Sequence, residues 1–249
     1  MLIYAHRGGR EHTPENTMAA FNNALVCRAD GIEIDVHLTK DGQPVICHDY
    51  KIDRTSNGSG LIKDFTLTQL KQFDFGGWFA PHFTGQKIVA LEEYLIWQTN
   101  TSLRLNIEIK NGPLLYQAIE KKVIQLVEAY RISDRVIISS FYHPSLLKIK
   151  ELNPTIKTGV LFEGRPIYPC QLVIDAKADF LHPYWQSLDK DWAACAHSWE
   201  IGINTYTVNH TDEFEFVRNL GVDAIITDCP GKFISNSIPP LPKPHPLLP

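Results

Sequence analysis

The stretch GIEIDVHLTKDGQPVICHD, residues 31–49, decides the fold. Written as an extended chain, Ile32, Ile34, Val36 and Leu38 share one face, and Glu33 and Asp35 share the other. Such a strand needs hydrocarbon on one side and a polar chamber on the other. In a barrel the apolar face meets the surrounding helices, so the carboxylates point inward, toward the mouth. Residues two apart on a strand have Cα atoms about 6.5 Å apart, which lets both acids reach one ion. LNIEIK (105–110) repeats the design: Leu105, Ile107 and Ile109 face one way, Glu108 and Lys110 the other.

Working outward, short apolar runs alternate with longer stretches of helical spacing. LIYA (2–5), GIEIDVHL (31–38), LRLNIEIK (103–110), VIISS (136–140), KTGVLF (157–162), ADFLH (178–182), INTYTV (203–208) and AIITD (224–228) read as strands. Helical spacing marks 14–29, 112–130, 143–152, 188–201 and 211–220. Eight strands with helices between them predict an α/β fold, a (β/α)8 TIM barrel, for which 249 residues is an ordinary length. An open doubly wound sheet is the alternative, but its G-x-G-x-x-G fingerprint is absent. The first helix is expected to start with Thr13 as N-cap, Pro14 at the first helical position and Glu15 in the first turn. Gly31 is expected to serve as the left-handed residue after it.

The rhythm breaks at about 49–90, where DRTSNGSG, a short helix in TLTQLKQFD and the irregular GGWFAPHFTG read as a small insertion after the second strand. It leaves the same end of the barrel as His48. The expected organisation is a barrel over 1–237 and a proline-rich tail over 238–249. The net charge of −4 and the mixing of charges give no nucleic-acid surface. Five cysteines without a C-x-x-C pair favour free thiols in a reducing, cytoplasmic setting. The apolar start is too short for a signal peptide, and no run reaches the roughly 18 apolar residues of a membrane span. Oligomeric state is not legible.

Three acids in a low-dielectric mouth repel one another and take up protons unless something neutralises them. A divalent cation does so, and all-oxygen ligation by Glu33, Asp35 and Glu108 favours magnesium or calcium, with manganese a third choice. The competing reading is a set of buried salt bridges to arginine or lysine. His6 and His48 both end strand-like runs, where barrels keep their active sites. With Arg7 and Lys110 beside them, the mixture suits an anionic, phosphorylated substrate held by cations while imidazoles move protons. The remaining histidines are expected in surface or structural roles.

Taken together, AHRGG, PENT, GIEIDVHLTKDGQPVICHD, LEEYL, LNIEIK, SSFYHPSL, YTVN and GVDAIITDCP resemble the glycerophosphodiester phosphodiesterase family. They run in family order from the first residues to about Pro230. The resemblance implies a (β/α)8 barrel and metal-dependent hydrolysis of glycerophosphodiesters, a role in lipid and glycerol metabolism, to sn-glycerol 3-phosphate and an alcohol. It also implies Glu33, Asp35 and Glu108 as metal ligands, His6 and His48 as the acid–base pair, and Arg7 and Lys110 on phosphate oxygens. Phe141 and Tyr206 match positions lining the glycerol pocket, and the resemblance implies Glu15 and Asn16 as supporting residues. Two alternatives stay open: a lysophospholipase D-like activity, with Trp78, Phe79 and Phe83 lining an apolar groove, and a non-catalytic phosphodiester-binding barrel.

Overall fold

The computed structural model describes residues 1–237, so the proline-rich tail lies outside the described residues. The elements in chain order are β1 (Leu2–His6), α1 (Met18–Val26), β2 (Gly31–Leu38), β3 (Pro44–Ile46), α2 (Leu67–Leu70), β4 (Val89–Ala90), α3 (Leu91–Gln98), β5 (Arg104–Ile109) and α4 (Ile119–Ala129). There follow β6 (Val136–Ser140), α5 (His143–Leu152), β7 (Lys157–Phe162), α6 (Pro169–Asp175), β8 (Phe180–Pro183), α7 (Lys190–Ser198), β9 (Gly202–Thr205), α8 (Thr211–Asn219), β10 (Ala224–Thr227) and α9 (Pro230–Ser237). β1, β2, β5, β6, β7, β8, β9 and β10 pair in parallel in that order, and β10 pairs back to β1, closing an eight-stranded barrel. Each of these strands falls on one of the runs picked out by its apolar pattern.

Strand parity sorts the side chains as expected. Ile32, Ile34, Val36 and Leu38 join one core with Phe21 and Ala24 of α1 and Tyr94 and Leu95 of α3. Inside the barrel, Tyr4, Ala224 and Ile226 form a small apolar plug. Above it the interior is polar: Asn106 Nδ2 donates to Ser139 Oγ at 3.1 Å, and Asn204 Nδ2 donates to His182 Nε2 at 3.0 Å. Gly159 makes room for the imidazole, since a Cβ there would stand 2.4 Å from His182 Nε2.

Two local expectations are corrected. Thr13 does not cap α1; its hydroxyl donates to the Gly9 carbonyl at 2.8 Å, and Thr17 is the cap, accepting from the Ala20 N–H. Glu15 is drawn out of any first turn by arginines, and Asn16 takes a left-handed φ of 57°. Gly31 is not a helix terminator but the first residue of β2. Arg28 supplies the left-handed residue with φ 61°, and Gly31 is required because a Cβ would lie 2.5 Å from the Tyr4 ring. Helix α6 has no counterpart in the sequence reading.

Between β3 and β4 the chain makes an excursion with its own core of Val45, Cys47, Ile52, Ile62, Leu70, Phe75 and Ile88. β3 returns antiparallel on β2, and α2 carries a capping box at Thr66 and Gln69. Trp78, Phe79 and Phe83 pack edge to face on one another outside that core.

Full burial holds the His182 pKa down to about 3. Above the ordinary histidine value of roughly 6.5 both folded and unfolded chains are neutral there, and the stability is complete. Below it the unfolded chain takes a proton that the folded one refuses, so stability falls as pH drops from that value toward 3. Urea unfolding between pH 6.5 and 5 should therefore show a loss of about 2 kcal/mol that His182→Gln removes. Parallel pH profiles in the two proteins would show that His182 titrates normally.

Candidate active site

The site grows from the ends of β1, β2 and β5. Register places His6 beside Glu33 and Asp35 beside Glu108, so parallel pairing alone assembles the acidic cluster. Beyond His6 the chain turns back sharply. The N–H of Gly8 donates to the Ala5 carbonyl and that of Gly9 to the His6 carbonyl, with φ of 90° at both glycines. A Cβ on Gly8 would stand 2.6 Å from that of Ala20, so the turn needs glycine on steric grounds as well. Arg7 is thereby folded inward and buried. Its backbone N–H donates to Glu33 at 3.1 Å, Nη1 donates to Glu15 at 2.8 Å, and Nε lies 3.5 Å from Asp35.

Glu33, Asp35 and Glu108 are all buried and present carboxylate oxygens within 4.8 Å of one another. The salt-bridge reading is met in part: Lys110 Nζ stands 2.7 Å from Glu108 and 3.5 Å from Asp35. Asn16 Nδ2 also donates to Asp35, at 2.9 Å. Burial alone would raise Asp35, but the Lys110 and Arg7 charges outweigh it and hold the carboxyl far below its ordinary range. Glu33 fares differently. Its close polar contacts are the Arg7 N–H and, at 3.9 Å, His6 Nε2, and burial with the charges of Asp35 and Glu108 pushes it well up. A converging set of hard oxygen donors, one of them short of positive charge, fits a magnesium- or calcium-type cation.

Both histidines are anchored through Nδ1. His6 Nδ1 lies 2.6 Å from Asp228 Oδ1, and His48 Nδ1 lies 2.6 Å from Asp49 Oδ1. Burial pushes the His6 pKa down, helped by the Arg7 charge and opposed by Asp228, and the net direction is downward. Asp228 and Asp49 are each held at about 2: burial raises them, and their bonded neighbours, His6 for Asp228 and Arg54 with His48 for Asp49, more than offset it. His37 is structural, as expected of the remaining histidines. Its Nε2 is 3.1 Å from the His48 carbonyl and its Nδ1 3.0 Å from the Tyr116 hydroxyl, which steadies the backbone under His48.

The residues named from sequence converge on one cavity of about 250 Å³, whose wall includes His6, Arg7, Glu33, His48 and Glu108. Phe141 and Tyr206 close the opposite side, ring centroids 6.1 Å apart and nearly perpendicular. Asp35, Lys110, Glu15 and Asn16 sit behind that wall, bonded to its members. Trp78, Phe79 and Phe83 take no part in it. Sequence reading missed five groups: Asp228, Asp49, Arg54, Glu163 and Tyr184. Asp228 and Asp49 lay in quoted motifs, TDCP and HD, beside residues already singled out. Glu163 and Tyr184 are cavity lining at the ends of β7 and β8 and carry no local signal. Arg54 comes from the insertion, donating to Glu15 at 2.7 and 3.0 Å and from Nε to Asp49 at 2.7 Å.

An eight-stranded barrel whose carboxyl-end rim carries acids, cations and anchored imidazoles defines an enzyme of phosphate-ester chemistry. Residues 6–232 match the Glycerophosphoryl diester phosphodiesterase family, and the chain belongs to it. A glycerophosphodiester phosphodiesterase of Caldanaerobacter subterraneus is 40% identical over 234 residues, covering 94% of this chain and 96% of its own. One from Bacillus altitudinis is 39% identical over 235 residues, covering 93% and 96%. The structure of an Oleispira antarctica phosphodiesterase, solved with the product sn-glycerol-3-phosphate, superposes with a TM-score of 0.88 at 28% identity, over 94% of this chain and 96% of that one.

Arg54 links the insertion to both flanks of the site, through Glu15 to Arg7 and through Asp49 to His48. Arg54→Ala should lower turnover of a glycerophosphodiester about 10–100-fold, the usual cost of losing an orienting partner. Arg54→Lys should recover only part, because one ammonium nitrogen cannot reproduce the paired bonds that the guanidinium makes to each of two carboxylates. Steady-state kinetics on the two variants check this, and wild-type rates in Arg54→Ala would remove Arg54 from the site.

Proposed function

We propose that this chain is a metal-dependent glycerophosphodiester phosphodiesterase, cleaving its substrate to sn-glycerol 3-phosphate and an alcohol by acid–base catalysis with His6 and His48. One observation carries the reading: two imidazoles, each anchored at Nδ1 by a carboxylate 2.6 Å away, open onto the same cavity as a three-carboxylate cluster. Glu33, Asp35 and Glu108 are the residues that would hold the cation, which would supply positive charge to stabilise the phosphoryl group.

His6 is assigned as the base. The acceptor Asp228 fixes the Nδ1–H tautomer, Arg7 Nε donates to Nε2 at 3.2 Å, and burial disfavours the imidazolium. A neutral ring takes the proton of the attacking hydroxyl at Nε2 once bound substrate displaces the Arg7 Nε donor from that lone pair. His48, less buried and fixed by Asp49, delivers a proton to the departing alkoxide as the phosphorus–oxygen bond breaks. Arg7 and Lys110 keep their charge, because the surrounding carboxylates outweigh the burial that disfavours it. Arg7, in the cavity wall, faces the oxygens on which negative charge gathers, and Lys110 adds its field from behind Glu108. Phe141 and Tyr206 give the glycerol carbons an apolar wall. The similar enzyme holding sn-glycerol-3-phosphate supports this choice of product.

Turnover should vanish on chelation and return when magnesium, calcium or manganese is restored separately. His6→Ala and His48→Ala should each lose at least about 100-fold. A substrate panel pairing glycerophosphocholine with its acylated lysophospholipid should favour the deacylated diester, since Trp78, Phe79 and Phe83 of the insertion do not line the cavity. Full activity after exhaustive chelation, or near-normal rates in either histidine variant, would overturn the mechanism.

A further inference from the structure

Away from the barrel mouth, helices α6 and α7 pack side by side on the outer layer. Cys170, in the first turn of α6, and Cys195, in the second half of α7, bring their Sγ atoms to 2.8 Å. Both are free thiols in this structure, and a shift of less than an ångström reaches the roughly 2.04 Å of a disulfide. Cys170 is buried, whereas Cys195 is half-buried. Both line a largely apolar surface cavity of about 380 Å³, walled by Ile167, Tyr168, Trp192 and Trp199. The cavity gives a small reagent a path to the pair.

We propose that Cys170 and Cys195 are a dithiol site that closes to a disulfide, with a small-molecule disulfide such as oxidised glutathione as the oxidant. Cys195, the accessible partner, attacks one sulfur of the reagent as its thiolate. A mixed disulfide forms, the reagent's sulfur–sulfur bond breaks, and the departing thiolate takes up a proton. Cys170 then gives up its proton and its sulfur attacks Cys195 Sγ, forming the protein disulfide and releasing the second small thiol. Two cysteine thiols are oxidised and one external disulfide is reduced to two thiols, so atoms and electrons balance. Burial and the neighbouring Cys195 push the Cys170 thiol up to about 12, so the more accessible Cys195 is the sulfur that opens the exchange.

The bond would tie together two segments that reach the active-site cavity. The β7–α6 connection carries Glu163 and the β8–α7 connection carries Tyr184, both in the cavity wall. An odd cysteine count without C-x-x-C points to free thiols, but a pair 25 residues apart on neighbouring helices escapes that arithmetic.

The test incubates the full chain with oxidised glutathione at neutral pH, then counts free thiols, maps peptides without reduction and measures thermal unfolding. The expected result is two of the five thiols lost, a Cys170–Cys195 linked peptide, and a melting temperature higher by several degrees, up to about 10 °C, reversed by dithiothreitol. Cys170→Ser and Cys195→Ser should each abolish the linkage and the shift. Five thiols still free, a glutathione adduct left unresolved on Cys195, or a link between other cysteines would overturn the proposal.

Discussion

Crowding of like charge at the carboxyl ends of β2 and β5 is the constraint on which the rest of the structure depends. Two carboxylates within 4.8 Å repel by at least about 3 kcal/mol at an effective dielectric of about 20, a hundredfold in proton affinity. The fold answers with Arg7 and Lys110, each drawn inward, and Asp35 receives most of their benefit. Glu33 receives least and is pushed toward its protonated form. The protein's own cations thus leave the cluster incompletely neutralised, which is the deficit that the proposed divalent ion would fill. The glycine turn after His6 follows from the same need, because only a reversal there returns the Arg7 side chain to the acids.

Holding these charges requires a scaffold that does not relax around them. Parallel register fixes His6 against Glu33 and Asp35 against Glu108 without any loop. The apolar faces of the same strands are clamped by α1 and α3. Breaking one buried partner leaves an uncompensated charge, which is far costlier than the pair's net worth. Arg54 extends this logic to the surface: the excursion after β3 has its own core, and its arginine ties it to Glu15 while bracing Asp49 within it. The excursion therefore completes the electrostatics of the rim as well as covering it.

Much of this was legible because it is local. A period of two placed Glu33, Asp35 and Glu108 inward, and apolar runs located all eight barrel strands. What escaped depends on closure of the ring. Asp228 meets His6 across 222 residues, a contact no local pattern encodes. Thr13 and Pro14 imitate a helix start, and the imitation fails because Glu15 is worth more to two arginines than to the helix dipole. Gly31 looked like a helix terminator, yet its lack of a side chain answers to Tyr4 on the neighbouring strand. The seven residues of α6 are too few to establish a period.

The four histidines with described partners around the barrel interior show how an imidazole lining the cavity differs from a structural one. His37 and His182 are bonded to neutral groups, a tyrosine hydroxyl and a backbone carbonyl in one case and an asparagine amide in the other. Burial then wins outright, holding them at about 4 and about 3, and they stay uncharged scaffolding. His6 and His48 each carry a carboxylate on Nδ1 instead, so a proton arriving at Nε2 meets a compensating negative charge. Position at a strand end suggested His6 and His48. In the proposed mechanism Asp49 and Asp228 are therefore as much a part of the proton-transfer apparatus as the rings they hold.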